Sequence, residues 1–85
     1  MESNEIIRNQ IFEIIRNQLK ANNPPETKLT LERLKGLGYN KLDSKKLIGQ
    51  CLAVELFHIF KHGEPFNALR YITNLKKLPE APFDD

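Results

Sequence analysis

Residues Leu47–Phe60, LIGQCLAVELFHIF, decide the fold: in fourteen positions only Gly49, Gln50, Glu55 and His58 interrupt the apolar run. At 100° per residue its apolar side chains reach nearly all the way round a helical wheel. That pattern predicts a helix buried against several neighbours. Such a helix needs a coat, and the remaining segments are read as that coat.

Towards the N-terminus, Asn4–Asn22 carries Ile7, Ile11, Ile14 and Ile15 as a stripe widened by Phe12 and Leu19, which predicts a first helix. The hexapeptide EIIRNQ stands at Glu5–Gln10 and again at Glu13–Gln18, a local duplication and not a repeat architecture. Asn23-Pro24-Pro25-Glu26 punctuates the chain, because proline disfavours helical geometry in the residue before it. The same prolines suit the first turn of a second helix over 24–37, with Asn23 as its cap and Glu26 closing a capping box. Its expected inward edge is Leu31, Leu34 and Leu37, with Thr27 and Thr30 alongside and Leu29 elsewhere on the wheel. Gly36 and Gly38 end it.

The central helix is expected over about 44–62, capped by Asp43 or Ser44 and stopped by Gly63. Asn67 caps a fourth helix over 68–78, whose inner face is Ala68, Tyr71, Ile72, Leu75 and Leu78. Pro79 closes it. The segment 79–85 is expected to be an extended tail with Phe83 as its one anchor. No segment alternates with period two, so no sheet is expected. The reading is an all-α, single-domain four-helix bundle over 1–78, wrapped around the apolar third helix.

Eighty-five residues make one core. Apolar content of 40% with 28% charge places the chain in the globular class and not among disordered ones. One cysteine excludes an internal disulfide and suits a reducing compartment. The polar, acidic start MESNEIIRNQ does not resemble a signal peptide, and no run approaches the ~20 apolar residues of a membrane span. The expectation is a cytoplasmic protein with no membrane association.

Several elements carry a resemblance: Ile15, Arg16 and Gln18 ending the first helix, then Pro24, Pro25, Arg33 and Leu34. Cys51, Leu52 and Leu56 follow, and after them Gly63, Pro65, Asn67 and Tyr71. In these the chain resembles the C-terminal part of an uncharacterised bacterial all-helical family, a domain of unknown function. The resemblance implies a helical bacterial protein and no activity. That family carries histidines on the first helix. The matching positions here are Arg8 and Phe12, a departure that counts against a family metal site.

Three constellations bear on function. Cys51, Glu55, His58 and His62 fall at i, i+4, i+7 and i+11, one stripe of the third helix, and all are competent zinc ligands. Glu-x-x-His is also the spacing of di-metal bundles. No other segment supplies His or Cys, so the set lacks converging ligands, and no cofactor is expected. Lys35, Lys41, Lys45 and Lys46 cluster about the turn between the second and third helices, a superficial helix-turn-helix. A net charge of +2 and an apolar third helix argue against nucleic acid there, which stands as the alternative reading. Last, Ile6, Leu29 and one or two of Phe57, Phe66 and Phe83 exceed what one small core needs. Without a catalytic motif, the expected function is a non-catalytic protein–protein interaction module. Ile6 and Phe83 are its candidate contacts, and a weak homodimer through the first helix is a further possibility.

Overall fold

The computed structural model describes residues 2–82, with side chains from Glu5 onward. Four helices make up the fold: α1 (Glu2–Ala21), α2 (Pro25–Gly36), α3 (Lys41–His62) and α4 (Ala68–Lys77). No strand occurs among the described residues. The architecture is the all-α four-helix bundle that the apolar stripes imply. Helices α2 and α3 each lie against all the others, whereas α1 and α4 share no close backbone approach. The core gathers Ile15 of α1, Leu31 and Leu34 of α2, Ile48, Cys51 and Leu52 of α3, and Tyr71, Leu75 and Leu78 from α4 and its end. Each large aliphatic side chain withdrawn in this way stabilises the fold by roughly 1.5–3 kcal/mol before chain entropy is counted.

The ends of the helices explain where the sequence reading needs correction. Asn23 does not cap α2. Asn22 adopts a left-handed φ of 51°, its N–H donates to the Leu19 carbonyl, and the N–H of Asn23 donates to the Gln18 carbonyl at 3.0 Å. That pair of bonds is a Schellman closure of α1. Asn23 is spent on ending one helix, and α2 starts from an extended Pro24 with no side-chain cap. Nor do Asp43 or Ser44 cap α3. Asn40 does, its Oδ1 accepting the Asp43 N–H at 2.7 Å, so α3 begins earlier than the cap reading allowed and Ser44 is fully buried inside it. Asn67 does cap α4, accepting the Arg70 N–H at 3.0 Å. Gly63, at a left-handed φ of 64°, ends α3.

Leu37 is the second correction. A Schellman pair, Gly38 N–H to Lys35 and Tyr39 N–H to Leu34, stops α2 at Gly36. Leu37, at the C-cap, keeps a helical backbone and donates its N–H to the Arg33 carbonyl, yet it is 60% exposed while Leu31 and Leu34 stay buried.

The third correction concerns α3 itself. It is not buried all round. Ile48, Cys51, Leu52 and Glu55 are enclosed, Leu56 is only half-buried, and Phe57 and Phe60 stand 48% and 70% exposed. Three partner helices are too few to cover every side of a 22-residue helix.

Candidate functional site

On its enclosed side α3 holds a buried ion pair. Glu55 and Arg70 meet through two bonds, Nε to Oε2 at 2.6 Å and one guanidinium nitrogen to Oε1 at 3.1 Å. The Glu55 carboxylate, wholly buried, also accepts the backbone N–H of Asn67 at 2.8 Å. A bidentate guanidinium plus a backbone donor offsets the large desolvation cost of a buried carboxylate. Glu55 thus joins α3 to the start of α4.

Two further polar clusters tie the other helices to one another. Thr27 and Tyr71 both bring hydroxyls to the Oε1 of Gln18, at 2.7 and 2.8 Å, tying α1, α2 and α4 together. Arg33 of α2 donates to the carbonyls of Leu78 and Leu75 at 2.7 and 2.9 Å, placing a cation at the negative end of α4. Burial pushes the Tyr71 hydroxyl up to about 12, opposed by its hydrogen bonds to Thr27 and Gln18. Burial likewise pushes the Cys51 thiol up to about 12, against a small opposing effect of its own backbone contact. A thiol so held is a packing group and not a nucleophile at neutral pH.

The stripe Cys51, Glu55, His58, His62 therefore splits. Cys51 and Glu55 face the core, the first packed and the second bound to Arg70. His58 is nearly buried, its Nδ1 lying 3.3 Å from a Glu64 carboxylate oxygen. His62 is exposed, its ring edge-on to Phe57 and tilted against His58. Among the described residues no group of three His, Cys, Asp or Glu side chains comes together to hold a metal ion.

The lysines of the alternative reading also disperse by role. Lys35 and Lys41 are exposed at the facing ends of α2 and α3, and Lys45 is half-buried. Lys46 turns instead towards α1 and lines a groove there.

That groove combines shape with an apolar lining. It consists of two adjoining hollows, of about 360 and 390 Å³, that share Ile7 of α1 and Ala53 of α3. In the first, Ile7, Ile11 and Phe12 stand across from Gly49 and Ala53. In the second, Ile7 and Ala53 are joined by Leu56, Phe57 and Phe60. Gly49 sets how closely the two helices approach, since a Cβ there would meet the Ile11 Cγ2 methyl at 3.0 Å. Arg8, Lys46 and Lys61 also line the groove, and no lining residue among those described is acidic.

Sequence reading set Ile7 in the inward stripe of α1 and Phe57 among the candidates for surplus; Ile7 is instead 41% exposed and, with Ala53 and Phe60, belongs with Phe57. Their signal was present: Gly49, Ala53, Phe57 and Phe60 repeat at i, i+4, i+8 and i+11, one stripe of the wheel. Ile6 is 57% exposed but does not line the groove. Leu29 and Phe66 are exposed as well, Phe66 leaning edge-on against Tyr71. Phe83 lies outside the described residues. No helix among the described residues is long and apolar enough to cross a membrane.

No family model, no curated protein and no solved structure matches this chain.

Proposed function

We propose that this protein is a non-catalytic interaction module that binds another protein through the groove between α1 and α3. The observation that carries the reading is the continuous exposed apolar surface formed there by Ile7, Ala53, Leu56, Phe57 and Phe60. Contiguous apolar surface of this kind, as opposed to isolated exposed side chains, is typical of docking sites. Two further facts support a binding role over a catalytic one. The carboxylate best placed for chemistry, Glu55, is bound to Arg70, and the thiol of Cys51 is buried and protonated.

The test is capture from native lysate with and without nuclease, comparing wild type with Ala53→Arg, a change at an exposed position on the groove floor. A saturable protein partner retained by wild type and lost by the variant is the expected result. Capture that disappears with nuclease, or falls steeply with salt, transfers the function to the Lys35, Lys41, Lys45 surface and to nucleic acid.

A further inference from the structure

Resting on the docking reading above, we infer that the groove receives an amphipathic helix of the partner, with acidic residues flanking its apolar anchors. The shape comes first. The apolar atoms line hollows between two helices and do not form a convex tip. A ridge of side chains spaced at i, i+3, i+4 and i+7 fills such hollows, whereas a flat lipid surface does not enter them.

The charge comes second. Arg8 and Lys46 line one hollow and Lys61 the other, so three cations and no described carboxylate surround the apolar floor. This is a local excess, since the whole chain carries thirteen basic and eleven acidic residues. A partner whose charged positions are glutamates and aspartates gains attraction from all three cations and is steered towards the site. A second copy of this chain, applied groove to groove about a two-fold axis, would set Arg8, Lys46 and Lys61 against the same three cations. Charge complementarity therefore favours an acidic partner over self-association on this face. Duplex nucleic acid offers phosphates to the cations but keeps its bases stacked on one another, away from the apolar hollows.

The experiment displays a library of helical peptides of about five turns, apolar at i, i+3, i+4 and i+7 and randomised elsewhere, against the whole chain. Enriched peptides are then measured by fluorescence anisotropy against wild type, Lys46→Glu, Arg8→Glu, Ala53→Arg and a distant control, Lys76→Glu on α4. The expected result is enrichment of Glu and Asp at the flanking positions and binding weakened about tenfold by Lys46→Glu or Arg8→Glu. The control should leave binding unchanged. Circular dichroism of each variant confirms that the helices are intact. Peptides enriched without charge bias, yet lost in Ala53→Arg, overturn the acidic partner and leave the docking groove standing. No enrichment, or binding indifferent to Ala53→Arg, overturns both. Co-sedimentation with phosphatidylcholine–phosphatidylserine vesicles through Phe60 and Lys61, with no peptide enriched, also overturns both and makes the face a lipid contact.

Discussion

One helix presents two unlike faces. On one, Ile48, Cys51, Leu52 and Glu55 of α3 are enclosed, and the polar groups there are tied by named bonds to Arg70 and Asn67. On the other, Gly49 is covered by Ile11 but Ala53, Phe57 and Phe60 reach solvent, and the lining is apolar apart from cations and Gln50. Both faces are built from hydrophobic sequence. What separates them is the number of partners that meet there: α1, α2 and α4 all contribute to the core on one side, whereas only α1 lines the groove with α3 on the other. Hydrophobicity along a helix reports how much surface wants covering, and the neighbours decide how much is covered.

The comparison breaks first at the ion pair. Arg70→Ala leaves the buried Glu55 carboxylate without its counter-charge and should cost ~3–5 kcal/mol in urea unfolding. Replacing both residues by leucine should cost much less than that, because no charge is then stranded. If Arg70→Ala were nearly neutral, the closed face would not depend on its polar bonds.

The apolar halves can be set directly against each other. Leu52→Ala should destabilise by ~2–5 kcal/mol, and Phe60→Ala, on the same helix, should stay within about 0.5 kcal/mol. Equal losses would mean that the groove is part of the core.

High pH probes the closed face through two buried groups. Cys51 and Tyr71 both have proton affinities raised by burial, from 9.0 to about 12 and from 10.0 to about 12. The unfolded chain gives up these protons first, so their contribution to stability is complete below about pH 9 and is lost as pH climbs towards 12. Thermal melts from pH 8 to pH 11 should show the midpoint falling, and Cys51→Ala should delay the onset towards the tyrosine range. At neutral pH, Cys51 should react with a thiol reagent only as fast as the chain opens.

The smallest effect is expected at Ser44. Its hydroxyl is buried and has no hydrogen-bond partner among the described residues. Ser44→Ala removes a stranded polar atom and improves helix propensity, so stability should hold or rise by up to about 1 kcal/mol. A loss would reveal an unseen partner for that oxygen.

Much of this was legible from residue type and spacing. The four helices follow from the isoleucine stripe of α1, the prolines before α2, and the Gly63 and Asn67 boundaries, each a local signal with a local cause. Leu31, Leu34, Leu52, Tyr71 and Leu75 were placed inside by the same periodicity. The failures have physical reasons. Several side chains near each junction are able to cap, and only backbone geometry chooses Asn40 over Asp43 or commits Asn23 to ending α1. Leu37 continues the stripe to the C-cap of α2, where it stays 60% exposed. The bond between Glu55 and Arg70 spans a loop, and nothing in the spacing marks Arg70 as its partner. The groove was half legible: Phe57 was among the candidates for surplus, but a wheel apolar on nearly every side does not say which side a bundle leaves open.

Helix α4 is the shortest of the four, at ten residues, and a helix of that length is marginal in isolation. Its neighbours grip it at both ends: Glu55 and the Asn67 cap hold the start, and Arg33 holds the final carbonyls. A helix pinned at both termini has no free end from which to unwind. Its central amides should therefore exchange with deuterium only when the whole domain opens, as slowly as those in the middle of α3, although length alone would rank α4 the most labile element. The shortest helix would then keep time with global unfolding.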